Sequence, residues 1–432
     1  MEIQIAPEEL VAGILENFGG ERLYVLDSCN TSHRASQMLY GGVAPAEVLE
    51  LYGSPEESLR VLDEVLTADK PSVFTLSYDL GRKLKGISDR VMPDEPDVFI
   101  ARFGSLIAYD YATGEFSVVG KTGRRELSYR IFDAPGRRAA EASPSQVAPR
   151  SNFTRSRYLA AIEEIKDRIR RGDTYQTNLT QKITVELPPE LSAADVFRRL
   201  RQKHPAPFSA YIERRGSAVV SASPERFFRV IGDRIEAAPI KGTSSRGQTP
   251  AEDRSHRTAL LASEKDRAEN IMIVDLMRND LGRVCEYGSV TVSELCAVQE
   301  LPTMFHLESK VAGQLRSNVR PSDILKALFP CGSITGAPKL RTMQIIDELE
   351  PDKRGLSMGA IGLYIPDGLG LPPVLDLSVA IRTMVICDSR ATFNVGGGIV
   401  IDSDPEAEYE ESLLKATALL DALGTNGDEL AE

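Results

Sequence analysis

The chain has little with which to build a soft-metal site or a disulfide framework. Its 432 residues hold four histidines and five cysteines. The thiols (Cys29, Cys285, Cys296, Cys331, Cys387) are odd in number and include no Cys-x-x-Cys pair, and no histidines stand at His-x-x-x-His spacing. Neither disulfides nor zinc chemistry is expected. No apolar run reaches the roughly 18 residues of a membrane helix. The N-terminus carries no charged-then-apolar leader, so a cytoplasmic protein is expected. Positive charge is also short: 51 Lys+Arg against 63 Asp+Glu leave a formal net charge of −12. That balance argues against nucleic-acid and anionic-membrane partners. An anionic substrate would therefore need local positive charge or a metal. Gly-x-Gly-x-x-Gly is missing, and the one Gly-Lys-Thr, at Gly120-Lys121-Thr122, has Glu115 where the phosphate loop needs its first glycine, which removes the common nucleotide loops.

What remains has the composition of a globular protein, 42% hydrophobic and 26% charged. The length exceeds one ordinary core, so two domains or one large domain with a companion are expected. Residues 134–151, with Pro135, Gly136, Pro144 and Pro149, read as a linker between an N-terminal region (1–140) and a second domain. After it, Thr154 can cap a helix with apolar positions Tyr158, Ile162, Ile165 and Ile169, closed by Gly172. Further helices are predicted over Glu252 to Leu261, Glu264 to Arg283, Ser322 to Leu328, Pro338 to Leu349 and Pro405 to Leu423. Strands are predicted at 208–214, 289–300, 305–314, 357–365, 374–387 and 391–396. Clustered strands followed by helices indicate an α+β fold with large antiparallel sheets.

Lys241 is the residue of greatest chemical interest. In Ala238-Pro239-Ile240-Lys241-Gly242-Thr243 a proline and a glycine constrain the backbone on either side. A lysine directed inward from a strand end can lose its proton and act as a nucleophile. A solvated lysine in a turn is the alternative. Two acidic pairs have helical spacing: Asp266 with Glu269, along the edge of a helix with Ile271, Val274 and Met277 as its core face, and Glu408 with Glu411. Two separated carboxylate pairs suit a hard cation such as Mg²⁺ that keeps positions open for substrate oxygens, and solvated helix faces explain the same residues. Gly396, Gly397 and Gly398 either let a backbone approach a carboxylate or form a tight turn. Arg382, on an otherwise apolar strand, would need an anionic partner if buried, either substrate or protein.

The order of these segments resembles the chorismate-utilising enzymes. The residues that carry the resemblance are Tyr175-Gln176-Thr177-Asn178-Leu179, Ser223-Pro224-Glu225-Arg226-Phe227, the Lys241 segment, Glu269 to Arg283, Phe329 to Lys339, Ala380-Ile381-Arg382-Thr383, the three glycines, and Glu408-Tyr409-Glu410-Glu411. The match runs from about residue 152 to 425. Asp27-Ser28 and Tyr78-Asp79-Leu80-Gly81-Arg82 extend it more weakly toward the N-terminus.

The resemblance implies an anthranilate synthase component I-like fold and a Mg²⁺ ion held by Glu269, Glu408 and Glu411, with Asp266 near the shell. It implies that Glu225 is the acid for a departing C4 hydroxyl and that Lys241 is a covalent nucleophile. Gln176 stands where water-adding relatives carry a lysine base, and Lys241 where anthranilate-forming relatives carry alanine. Both positions point to the branch that aminates chorismate at C4. Contacts to substrate are implied for Thr243, Thr335, Lys339, Arg382, Gly396, Gly397 and Gly398, and a place beside the ring for His306. No Gly-x-Cys-x-Gly elbow is present, so ammonia is expected from a separate glutamine amidotransferase subunit. The implied product would pass to aminodeoxychorismate lyase on the way to 4-aminobenzoate and folate. Alternatives are anthranilate formation and a catalytically weak chorismate-binding regulatory subunit. The last is motivated by Leu363, where the family usually has a tyrosine that touches a substrate carboxylate. Cys331 replaces a usual glycine and Asp266 a common glutamate. Asp27-Ser28 resembles a region that holds tryptophan in some relatives, and an edge strand with a turn explains it equally.

Overall fold

The computed structural model describes every residue except 1–4, 19, 32–36, 88–94, 122–126, 128–129, 132–147, 302–303 and 426–432. Most of the expected linker lies outside the described residues. Its last part, Arg150–Ser151, is a short strand on Gln176–Glu186.

Two large sheets form the centre, and every pairing in them is antiparallel. The first has 11 strands, running from the edge Gly336–Ala337 through Gln176–Glu186, Arg390–Ile399, Thr383–Cys387, Ser217–Ser223 and Phe208–Arg214 to four strands from the N-terminal region. The second has 10 strands. It runs from the edge Ile240–Ser245 through Met304–Gln314, Arg234–Ala238, Arg226–Ile231, Val374–Val379 and Ala360–Ile365 to Ser72–Leu76, Val98–Arg102 and Glu47–Leu51. The sequence boundary near residue 140 is thus not a boundary between sheets. Leu23–Asp27 pairs with Phe208–Arg214 and Ser72–Leu76 with Ala360–Ile365, so each sheet crosses it.

Period-two alternation divides the core into layers. Val220, Met384 and Phe393 turn outward from the first sheet to meet Phe197 and Leu419 of covering helices. Their neighbours Val219 and Val385 turn inward, where Phe99, Ile361 and Leu363 of the second sheet meet them. Leu375, Leu377 and Ala360 face outward under Leu59, Val274 and Leu328. The order is helices, sheet, sheet, helices, which bears out the α+β expectation.

Five helices fall within a residue or two of their predicted limits, among them Glu264–Gly282 and Pro405–Leu423. Ser263 caps the first of these by accepting from the Asp266 amide. Its buried face differs from the predicted one. Ile271 is exposed, and Asn270, Ile273, Val274, Met277 and Leu281 are buried. The predicted strand 374–387 is two strands, Val374–Val379 and Thr383–Cys387, because Arg382 adopts a left-handed φ of 47° between them.

Candidate active site

The near edges of the two sheets bring most of the expected residues together. Lys241 lies on the edge strand Ile240–Ser245, whose register against Met304–Gln314 breaks between Ile240 and Thr243. Such a bulge re-aims a side chain out of the ladder. Gly242 makes it possible: its φ is +85°, and a Cβ there would lie 2.9 Å from Asp266 Cβ. Half-buried Lys241 then extends to Ser333, donating from Nζ to the main-chain carbonyl at 3.1 Å.

Facing it on the first sheet is buried Gln176, whose Nε2 lies 3.4 Å from Glu269 Oε2. The glycines are not a turn. They lie inside the strand Arg390–Ile399, with Gly396 opposite Thr180, Gly397 opposite Leu179 and Gly398 opposite Asn178, and none has positive φ. What they supply is room. A Cβ on Gly398 would overlap Gln176 Nε2 and stand 3.4 Å from Lys241 Nζ, and one on Gly397 would stand 3.0 Å from Glu408 Oε2.

Glu225 occupies the crossing between the sheets, after Ser217–Ser223 of the first and before Arg226–Ile231 of the second. The crossing is pinned by the bidentate Arg226–Asp376 pair at 2.9 and 3.0 Å and by the Val379 amide on the Glu225 carbonyl. Burial pushes the Glu225 carboxyl up to about 7, against the opposing effects of a hydrogen bond from Ser333 and the charge of Lys241. Among the described residues, Glu225 Oε1 and Gln176 Oε1 are buried with no hydrogen-bond partner. Polar atoms left open inside a protein are costly, and both of these belong to residues near Lys241.

The acids form two faces with lysines among them. Lys265 Nζ is 3.4 Å from Glu408 Oε1, which also accepts from Ser403 at 2.7 Å, and Lys415 pairs with Glu411 at 2.7 Å. Glu269 is raised by burial and by the nearby charges of Glu408 and Asp266, in opposition to Lys241 and Lys265. For Glu411 burial acts upward but is outweighed by Lys415, Lys265 and Lys241, and the net shift is downward. The lysines were not singled out in the sequence. Their signal was there, since Lys415 follows Glu411 by four residues. Among the described residues no three His, Cys, Asp or Glu side chains converge as a closed metal cage. Crowded, partly buried carboxylates with oxygen donors only nevertheless fit a hard cation completed by substrate oxygens and water.

Other expected residues are placed unevenly. Thr243 Oγ1 and His306 Nδ1 are 2.9 Å apart across the two paired strands. Thr335 is buried, with its hydroxyl on the carbonyl of Cys331 at 3.0 Å, and the Cys331 thiol lies 3.3 Å from the Ser333 hydroxyl. Arg382 meets only the Met304 sulfur, at 3.7 Å, and among the described residues no carboxylate pairs with it. Desolvation lowers its pKa, as for a guanidinium that awaits an anion. Lys339 is set apart: its ammonium donates to Asp280 Oδ2 and the Leu328 carbonyl, both at 2.6 Å, so its charge is matched within the fold.

Leu363 is also elsewhere. It points inward from Ala360–Ile365 and lines a cavity of about 60 Å³ between the sheets, with Asp27, Ser28, Met38, Tyr40 and Phe208. The expected effect of Leu363 on a contact beside Lys241 is therefore corrected: strand alternation sends it to the intersheet layer. Asp27-Ser28 end a strand and enter a turn in which Cys29 and Asn30 have φ of 53° and 47°.

The paired-sheet scaffold thus carries a buried acid, a half-buried lysine and an acidic rim at one edge. The chain belongs to the chorismate-binding enzyme family, whose description, "chorismate binding enzyme", matches residues 25–421. It is 40% identical over 358 residues to aminodeoxychorismate synthase component 1 of Klebsiella aerogenes, covering 80% of this chain and 75% of that one. It is 38% identical over 419 residues to an anthranilate synthase component 1 of Haloarcula marismortui, covering 89% and 84%. Anthranilate synthase component I of Streptococcus pneumoniae superposes with a TM-score of 0.78 at 27% identity, covering 89% of this chain and 92% of that one. No helix among the described residues is long and apolar enough to cross a membrane.

Proposed function

We propose that this chorismate-utilising enzyme is an aminodeoxychorismate synthase component I, replacing the C4 hydroxyl of chorismate with ammonia to give 4-amino-4-deoxychorismate. The observation that carries the reading is the Lys241 side chain, re-aimed by the Gly242 bulge into the space that Gly398 leaves open beside Gln176 and held on the Ser333 carbonyl. Relatives that make either isomer are similarly close in sequence, so overall identity does not choose between them.

In the proposed reaction the Lys241 amine, unprotonated, adds at C2. The two ring double bonds shift, and the C4 hydroxyl leaves as water with the Glu225 proton. Ammonia then adds at C4, the double bonds return, the bond from C2 to Lys241 breaks, and the surplus proton on the new C4 nitrogen returns to Glu225. Chorismate and ammonia enter; the aminated product and water leave. Lys241 blocks C2 during ammonia entry, which directs nitrogen to C4. The carboxyl of Glu225, pushed up to about 7, is still protonated in about half of the molecules at neutral pH, where an ordinary glutamate would have lost its proton. Arg382 supplies positive charge for a substrate carboxylate, with Thr243, Thr335 and the glycine backbone beside it. Glu269, Glu408 and Glu411 would hold Mg²⁺, which neutralises the ring carboxylate. Gln176 offers a neutral amide and no base to activate water. The ammonia source is a separate glutamine amidotransferase subunit, as component 1 names of relatives suggest, and the product is a substrate for aminodeoxychorismate lyase.

The test is purified chain with chorismate, Mg²⁺ and ammonium, with and without the lyase. 4-Aminobenzoate that appears only with lyase is the expected result. Fluorescent anthranilate would reassign the enzyme to 2-amination, and unconsumed chorismate would make it a binding subunit. Lys241→Ala is expected to lose at least about a thousandfold in 4-amination and to leak toward anthranilate; an unchanged product and rate would remove the covalent step.

A further inference from the structure

The Tyr78-Asp79-Leu80-Gly81-Arg82 segment lies in the N-terminal region, and the proposed reaction assigns it no part. It forms the short helix Tyr78–Leu84, capped by the Ser77 hydroxyl. Four of its five residues carry unusual constraints. Gly81 packs on Pro330: a Cβ there would overlap Pro330 Cγ and lie 2.6 Å from its Cδ. Asp79 accepts from Arg82 at 2.9 Å and from the Gly355 amide at 3.0 Å. Arg82 continues to Asp347. The Tyr78 ring lies under the guanidinium of Arg354 at 4.6 Å.

Pro330 and Arg354 lead to the turn that holds Lys241. Arg354 is buried and paired with Glu350 through two bonds of 2.9 and 2.7 Å. Its remaining donors reach the carbonyls of Ile334 at 2.8 Å and Asn178 at 2.7 Å. The carbonyl just before Ile334 is that of Ser333, the acceptor for Lys241 Nζ at 3.1 Å. Successive carbonyls of one turn are thus taken by the proposed nucleophile and by the arginine stacked on Tyr78. The same helix touches the start of that turn, at Pro330, through Gly81.

We infer that the Tyr78–Arg82 segment is a positioning element for the proposed nucleophile: with Arg354 it fixes the Ser333 carbonyl, and through it the Lys241 amine, from the N-terminal side of the fold. None of its residues reaches the cleft among the contacts above, so they act through the turn. A buried guanidinium with several fixed acceptors and an aromatic face transmits position better than a flexible contact would. The role in catalysis rests on the proposed reaction, whereas the fixing of the amine does not.

Gly81→Ala separates position from folding. Alanine favours a helix over glycine, yet its methyl must displace Pro330 and the turn behind it. The full chain is assayed with chorismate, Mg²⁺ and ammonium. Lys241 is followed separately by trace acetylation relative to exposed Lys203, read by peptide mass spectrometry. Expected are a kcat at least tenfold lower, a KM for chorismate within twofold, and a Lys241 labelling rate changed threefold or more at unchanged thermal midpoint. Tyr78→Leu is expected to change labelling in the same way, and Tyr78→Phe, which keeps the ring under Arg354, to restore it; this pair decides the matter if Gly81→Ala does not fold. Folded variants with unaltered labelling and kcat would overturn the inference. So would a kcat that falls only with the folded fraction. Altered labelling in an enzyme whose product is anthranilate would retain the positioning role and refute the proposed reaction, so the two failures are distinguishable.

Discussion

Asp27 and Glu225 are both buried carboxyl groups at strand ends, and their surroundings are opposite. Asp27 is closed on every side: Oδ2 accepts from Arg201 at 2.6 Å, and Oδ1 from the Tyr111 hydroxyl and the Cys29 amide, both at 2.8 Å. Glu225 has one oxygen with no partner among the described residues and keeps its proton to about 7 because burial disfavours its charge. The first group fixes a strand end to the helix Ala193–Lys203, which carries Arg201. The second has an unsatisfied atom near Lys241, as does Gln176. The saturated carboxyl ties the fold together, and the unsaturated one is where chemistry is proposed.

The largest effect should come from the open carboxyl. Glu225→Gln is expected to lower kcat by about a thousandfold, in the range typical of general acids, and to leave the fold intact. For the wild type, kcat should fall as pH rises through about 7, since the acid form of Glu225 is lost there. Its stability has the same sign. A pKa raised from 4.5 to about 7 favours the fold fully below 4.5 and loses that benefit as pH passes 7. Relative to Glu225→Gln, the wild type should therefore weaken by about 3 kcal/mol between acid and neutral pH in urea unfolding. A flat pH profile would make Glu225 resemble Asp27 after all.

The closed carboxyl should fail differently. Asp27→Asn leaves Arg201 with only a longer ion pair to exposed Glu8, at 3.7 Å, among the described residues, and is expected to cost about 3 kcal/mol of stability. The kcat of the remaining folded enzyme should be near wild type; a selective kinetic loss would erase the contrast. Lys339→Met applies the same test to two lysines. It should cost about 2 kcal/mol by stranding Asp280, with KM for chorismate within twofold. A KM raised tenfold would return Lys339 to the substrate site beside Lys241.

Local features of the fold were legible in the sequence, and remote pairings were not. The helix Glu264–Gly282 was legible in its apolar spacing, and Val274 and Met277 are buried as expected, but one core position was misassigned. Counting apolar residues favoured Ile271, whereas buried Asn270 holds the core position by donating to the Leu307 carbonyl at 3.2 Å. The glycine run was ambiguous because a glycine's absent side chain has meaning only against its neighbour, here Gln176. The Gly242 bulge was anticipated as a bend, since proline and glycine bracket Lys241. Nothing local marked Ser333, whose contribution is a main-chain carbonyl, or Arg354, which reads as a charged loop residue. Strand pairing across the whole chain is nonlocal, so the N-terminal strands could not be assigned to both sheets beforehand.

That shared pairing has a practical consequence for dissecting the protein. Residues 152–425 alone would present Phe208–Arg214 and Ala360–Ile365 each stripped of one of its two partners, two apolar edges open to any passing strand. A truncated catalytic half should aggregate, and supplying the missing segment as a separate polypeptide should rescue it only by rebuilding both seams together.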